Sequence, residues 1–297
     1  MESSIVKPFL KWAGGKGQLL NEIRKYYPFN DKIKKYAEPF VGGGAVLFDI
    51  LNNCELEEIY ISDINYDLVN SYLVVRDNIE ELIILLFKYQ EEYIILENEE
   101  RKKYFLEKRE EFNKLKNNEE DTDKILRAAL MIFLNKTCFN GLYRVNKKGL
   151  FNVPIGSYKK PCICDKENLK MISKKLQKVK IICGDYKKSI DFIDDRTFVY
   201  FDPPYRPLTN TANFTAYTEN DFKEKEQIEL AEFVERIDKI GAKILISNSD
   251  SKNFDENDDF FDRLYFGKKI MRVNATRMIN SNSQKRGKIK ELLISNF

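Results

Sequence analysis

Asp202-Pro203-Pro204-Tyr205 brings together groups suited to a planar ring that carries an exocyclic amine. The Asp202 carboxylate and the Pro203 carbonyl can accept the two N–H bonds of such an amine, while Tyr205 offers a face for the ring. Alone, Asp-Pro or Pro-Pro would read as a strand-ending turn. Here the run Thr197–Phe201 has strand-forming character and leads straight into the prolines. Proline can continue neither a sheet ladder nor a helix, so the strand stops and presents Asp202 and Tyr205 at its carboxyl edge. In open α/β sheets that edge is where ligands bind.

The 297 residues can bury a sizeable core, and 43% hydrophobic with 33% charged residues is the balance of a soluble globular protein. No apolar run approaches the roughly 20 residues of a membrane span, and Met1-Glu2-Ser3-Ser4 does not begin a secretory signal. The expectation is a cytoplasmic protein with no membrane partner. Its five cysteines are scattered apart from Cys162-Ile163-Cys164, and histidine is absent. No zinc pattern is complete, so no metal is expected, and histidine-based triads are excluded. Proton handling falls to Asp, Glu, Lys, Tyr or solvent.

Net charge is only +3, but the charge is segregated. Residues 135–164 and 263–290 contain no acid, whereas acidic residues concentrate between Glu91 and Asp123. Two long basic stretches free of acids suit a surface that faces phosphates.

Several elements must position this chemistry. Gly14-Gly15-Lys16 precedes a helix expected to end at Tyr26-Tyr27-Pro28, which suggests an anion- or cofactor-binding turn. It is not a P-loop, because Gly17 stands where Ser or Thr must hold magnesium. Next comes a strand–glycine turn–helix–strand unit: Tyr36–Gly44, a helix from Ala45 to Leu51, and the strand Ile59–Asp63. Asp63 follows the glycines by about 20 residues, the place of a ribose-binding acid. The missing third glycine favours a nucleoside cofactor without phosphates over a dinucleotide, and so disfavours a nucleotide-dependent oxidoreductase.

Residues 65–118 read as helical and 124–134 as a buried helix. Residues 135–161 are rich in Gly, Asn and aromatics, with β-hairpin character around 146–150 and basic residues among Phe139, Tyr143 and Tyr158. Alternation then resumes: a helix at 166–176, strands at 179–183 (ending at Gly184-Asp185) and 197–201, a helix at 225–240 and a strand at 242–247. An irregular basic segment and a closing strand at 291–297 complete the chain. The fold expected is α/β, with a discontinuous sheet domain of residues 1–66 and 165–297 interrupted by a mainly helical insert of residues 67–164.

Phe9-Leu10-Lys11-Trp12-Ala13-Gly14-Gly15-Lys16, Glu38-Pro39-Phe40-Val41-Gly42-Gly43-Gly44 and Asp202-Pro203-Pro204-Tyr205 together resemble the DNA adenine methylase (Dam) family. The segment from Asn140 to Tyr158 and the loop from Pro207 to Tyr217 are also similar to that family's recognition segments. The resemblance implies a Rossmann-like S-adenosylmethionine-dependent methyltransferase sheet with an inserted target-recognition domain bearing a β-hairpin. It implies methyl transfer to N6 of a flipped-out adenine in double-stranded DNA, commonly in GATC. By the same resemblance Trp12, Lys16, Phe40, Gly42, Asp63, Asp185 and Asp202 would bind the cofactor. Asp202, Pro203, Pro204 and Tyr205 would carry catalysis. Leu142, Arg144, Pro154 and Tyr158 would read bases, Phe139 and Asn140 would prop the opened duplex, and Lys11 would contact a flanking base. The glycine run is one longer than in many members, and residues 91–123 match poorly and receive no role. A cognate restriction endonuclease is a compatible partner, but no stable protein partner is required. Alternatives are the same chemistry on cytosine N4 or RNA, and a non-catalytic DNA-binding specificity subunit.

Overall fold

Strand residues alternate between two cores. In β4 (Thr197–Phe201), Phe198 and Tyr200 join the core on one face of the sheet, Val199 and Phe201 that on the other. β1 (Lys35–Glu38) divides Tyr36 and Ala37 in the same way. Strands covered on both faces read as nearly continuous apolar runs, which is why β4 was visible as a block. These observations come from a computed structural model, in which the structure describes residues 5–12, 14–116, 123–206, 222–276 and 288–297.

Around β1 and β4 lie β2 (Glu58–Asp63), β3 (Val179–Cys183), β5 (Lys243–Ser249), β6 (Lys269–Thr276) and β7 (Lys288–Ser295). The described residues form a seven-stranded sheet in the order β3-β2-β1-β4-β5-β7-β6. β1 to β5 run parallel, while β7 is antiparallel to both β5 and β6. Strand order reverses between β1 and β4, so their carboxyl ends flank the crevice where such sheets bind ligands.

The helices are α1 (Leu20–Ile23), α2 (Ala45–Asn53), α3 (Tyr66–Asp77), α4 (Ile79–Ile94), α5 (Asn98–Lys116), α6 (Lys124–Thr137), α7 (Lys166–Leu176), α8 (Glu224–Ile240) and α9 (Phe260–Leu264). α2, α3 and α7 supply the core on one face, α8 and α9 that on the other. The first core is continuous from Phe48 and Phe198 to Leu86, Tyr89, Phe105 and Phe112, joined through the nearly all-buried α6. None of the described helices is long and apolar enough to cross a membrane.

Two local expectations need correction. The segment before the closing strand is not irregular throughout, because β6 pairs along its length with β7. As an edge strand it tolerates Lys269, Arg272 and Asn274, which hide its period. The helix expected to end near Tyr26 is broken instead into short 3₁₀ turns at Lys16–Gln18 and Arg24–Tyr26 on either side of α1.

Candidate active site

The tetrapeptide leaves β4 at the crevice and is held from several elements. Lys16, only 4% exposed, sends its ammonium to Asp202 Oδ1 at 2.7 Å. It also donates to the Tyr205 hydroxyl at 2.7 Å and to the Gly14 carbonyl at 3.0 Å. These contacts use the donor capacity of an ammonium group. Gly14 has φ +77°, a left-handed conformation that glycine adopts freely and that brings its carbonyl to its own lysine. Ser247, on β5, donates to Asp202 Oδ1 at 2.9 Å and lies 2.9 Å from the Tyr200 hydroxyl. The Pro204 carbonyl accepts from Gln227 Nε2 on α8 at 3.0 Å.

Tyr205 is fixed at its far end. Its hydroxyl donates to Glu291 Oε2 on β7 at 2.9 Å while accepting from Lys16. Burial, reinforced by the Asp202 and Glu291 charges, pushes the phenol well above its ordinary range, so it remains a neutral donor. Burial likewise raises the Glu291 carboxyl, against the pull of Lys16.

A second group of residues lies at the carboxyl ends of β1, β2 and β3. Asp63 ends β2, and its carboxylate accepts from Gly42 N at 3.2 Å and Asn65 N at 2.9 Å. Burial pushes it up to about 6, although those backbone donors favour the ionised form. The Phe40 ring stacks on Tyr186 with centroids 5.2 Å apart. Asp185 follows β3 and caps the turn after it by accepting from Lys187 N at 2.8 Å. Trp12 lies on the glycine run, where a Cβ added to Gly43 would come within 2.9 Å of the Trp12 Cβ. Its ring also stacks on Tyr143 at 5.4 Å, linking this edge to the segment beyond α6. Carboxylates able to accept hydroxyls and an aromatic face are a chemically fitting set for the ribose and adenine of S-adenosylmethionine.

In the segment after α6, Asn140 and Gly141 adopt φ +56° and +63°. A Cβ on Gly141 would fall 2.5 Å from Lys11 Cδ, so the lysine stem crosses where only glycine fits. Lys11 donates to the Tyr158 hydroxyl at 3.2 Å and lies over that ring at 4.3 Å. Arg144 is tied to Asn152, its Nε donating to Oδ1 at 2.8 Å. Phe139 is 51% exposed, Pro154 is exposed, and Leu142 is half-buried. Where the β-hairpin is expected, the backbone pairs through isolated antiparallel bridges, Val145–Phe151 and Cys138–Ile155. Asn146 N donates to the Leu150 carbonyl, and the Asn146 side chain also accepts from Lys148 N and Leu150 N. The loop 207–217 lies outside the described residues.

The structure therefore gathers Lys16, Asp202 and Tyr205 into one network, and Lys11 with Tyr158 into another. Sequence reasoning missed Ser247, Gln227 and Glu291. Only Glu291 left a signal, as the sole acid in residues 263–297. It also missed the buried trio in which Asp67 accepts from Arg127 Nε at 2.7 Å and from the Tyr143 hydroxyl at 2.7 Å.

Residues 12–279 match the family model described as "D12 class N6 adenine-specific DNA methyltransferase". The chain is 52% identical over 296 residues to the "Type II methyltransferase M.MjaIII" of Methanocaldococcus jannaschii, covering 98% of this chain and 99% of that protein. It is 37% identical over 288 residues to the "DNA adenine methylase" of Haemophilus influenzae, covering 97% and 92%. Against the "DNA adenine methylase" of Escherichia coli K12 it is 37% identical over 287 residues, covering 97% and 94%.

Proposed function

Because the chain belongs to the D12 class of N6 adenine-specific DNA methyltransferases, we propose that it transfers a methyl group from S-adenosylmethionine to N6 of an adenine swung out of duplex DNA, in GATC. The observation that carries this reading is the joint fixation of Asp202 and Tyr205 at the β4 edge by Lys16. A carboxylate and an aromatic face held by one buried cation are preorganised for a ring with an amine on it.

Adenine inside a duplex is out of reach, so it is extruded at a cost of roughly a few kcal/mol and stacked, here on Tyr205. Its amine is a weak nucleophile because the nitrogen lone pair is delocalised into the ring. Hydrogen bonds to the Asp202 carboxylate and the Pro203 carbonyl favour a tetrahedral nitrogen and free that lone pair, an effect realised mostly in the transition state. Both donors to Asp202 among the described residues go to Oδ1, so the amine competes there with Lys16 and Ser247 or takes Oδ2. S-adenosylmethionine, when bound, supplies a methyl group already activated on a sulfonium. Asp63 would accept from its ribose and Asp185 would hold the edge of its adenine, while Trp12, Lys16, Phe40 and Gly42 would line the pocket.

Residues 67–164 act as the target-recognition insert. Arg144 makes a bidentate guanine contact worth about 1–3 kcal/mol of discrimination. Leu142, Pro154 and Tyr158 read neighbouring bases, Lys11 touches a flanking base, and Phe139 and Asn140 prop the opened helix. Lysines around them bind phosphates, which makes affinity fall steeply with salt. A restriction endonuclease of the same specificity is a compatible partner.

The test is product analysis. Purified protein and radiolabelled donor are incubated with duplexes that contain or lack GATC, and the modified nucleoside is identified. N6-methyladenine confined to GATC supports the reading; label on cytosine N4, or equal labelling without GATC, overturns it.

A further inference from the structure

We infer that Glu291 is a positioning residue for the methyl-accepting base, anchoring the far end of the Tyr205 ring through its hydroxyl. The two prolines constrain the backbone leading to Tyr205, but they do not set the torsions of its side chain. That task falls to contacts at the ring's far end. A tyrosine hydroxyl has one proton to give, and here it goes to Glu291 Oε2 at 2.9 Å, from a residue 86 positions away. Lys16 occupies the hydroxyl's acceptor side at 2.7 Å, so both hydrogen-bonding roles are fixed.

Glu291 is itself anchored. It lies in β7 opposite Ser249 of β5 and Val273 of β6, with antiparallel neighbours on both sides. Its partners across the site are the Tyr205 hydroxyl and, at 3.9 Å, the Lys16 ammonium. Partly burying a carboxylate at a sheet position where the buried apolar Leu292, Leu293 and Ile294 follow is unfavourable for the fold alone. Among the described residues, its side-chain contacts are with groups of the proposed transfer site. Without Glu291 the hydroxyl keeps only the Lys16 contact, and a ring whose far end is held less tightly would let the target base leave its near-attack geometry, with little loss in overall binding.

The inference rests on the reading of Tyr205 as the surface that receives the target base, so wild-type protein is first assayed for N6-methyladenine. A wild type that makes none overturns that underlying reading. Given activity, kcat and the KM values for donor and duplex are measured for wild type, Glu291→Ala, Tyr205→Phe and the double variant. Glu291→Ala is expected to lower kcat by roughly tenfold to a hundredfold, with both KM values within about twofold. In the Tyr205→Phe background the same change should cost less than about threefold, because the hydroxyl through which Glu291 acts is gone. Glu291→Gln, which keeps an acceptor, should recover most of kcat. If the alanine variant does not fold, Glu291→Met takes its place in the cycle. A reading independent of turnover uses donor-free protein and a duplex with 2-aminopurine at the target position. Its emission should be stronger with Glu291→Ala than with wild type, since stacking on an ordered ring quenches it. Multiplicative losses across the cycle, or unchanged emission, overturn the inference.

Discussion

The β4 edge and the segment after α6 hold their polar side chains by different means. At the β4 edge, Asp202 leaves a strand whose residues are all buried, and its neighbours Ser247 and Glu291 sit in strands of the same sheet. In the segment after α6 the backbone pairing is broken into isolated bridges, and asparagine side chains add clamps to it. Asn135 pairs with both backbone groups of Lys11 at 2.8 Å and also donates to the Gly141 carbonyl at 2.9 Å. Asn113 does the same for Phe151, donating at 3.1 Å and accepting at 2.8 Å. A side-chain amide used in this way imitates one step of a β-ladder. The chemistry is thus built on a sheet that cannot readily change, whereas the proposed reading surface is knit by individual side chains that can be exchanged one at a time.

The sharpest break in this comparison is Asp202→Ala. Removing the carboxylate should lower kcat by roughly a thousandfold, in line with the loss of a group that acts on developing charge. The sheet should survive, because Asp202 lies past the last residue of β4 and contributes nothing apolar to either core. Steady-state kinetics beside a thermal melt would check both halves. A variant that keeps near-normal turnover removes Asp202 from the chemistry.

Asn135→Ala attacks the other region at its main clamp. It is 1% exposed, and its loss leaves the Lys11 N–H and carbonyl and the Gly141 carbonyl without those partners. The expected destabilisation is about 2–4 kcal/mol in urea unfolding. If stability hardly changes, asparagine clamps do not hold this region together and the contrast fails.

Arg144→Ala probes whether the second region carries selectivity without chemistry. Base preference at one position should relax by about tenfold to a hundredfold, the equivalent of a bidentate guanine contact, while kcat on the preferred duplex changes little. Competition between duplexes that differ at single positions gives the ratio. Equal loss on every duplex would identify Arg144 as a phosphate contact or a scaffold for Asn152.

The same contrast explains which features could be read from residues alone. β3 and β4 stand where runs bounded by Gly-Asp and by Asp-Pro-Pro-Tyr put them: in β4 burial on both faces leaves an uninterrupted apolar signal, whereas the edge strand β3 is marked by Val179, Ile181 and Ile182 despite the exposed Lys180. The motif lysine, Lys16, and the motif acid, Asp202, do meet, across 186 residues, because both flank the crevice at the strand reversal. Ser247 and Gln227 were not legible: a serine or glutamine in an ordinary strand or helix carries no mark of what it faces. The asparagine clamps were hidden for a related reason. Asn52, Asn135 and Asn168 each pair with backbone in residues 6–11, contacts that span 46 to 161 residues and leave no local pattern. Asparagine read locally signals only turns and caps.

The smallest effect expected is a pH dependence that tells the two regions apart. Asp63 is pushed up to about 6 by burial, above the ordinary aspartate value of 3.8. A carboxyl raised on folding favours the native state while protonated, so that contribution is complete below the unfolded value and fades as pH rises through about 6. Binding should follow the opposite course. An ionised Asp63 is the better acceptor for ribose hydroxyls, so donor affinity should weaken several-fold as pH falls from about 7.5 to about 5.5. Calorimetric titration of S-adenosylmethionine across that range would measure it, and Asp63→Asn should flatten the profile while weakening binding throughout. Non-specific duplex affinity, measured without donor, should lack an inflection near 6, since lysines and arginines hold the phosphates and the chain has no histidine. Donor binding that is equally tight at both ends of the range would mean that Asp63 holds the glycine turn through Gly42 and does not touch the ribose.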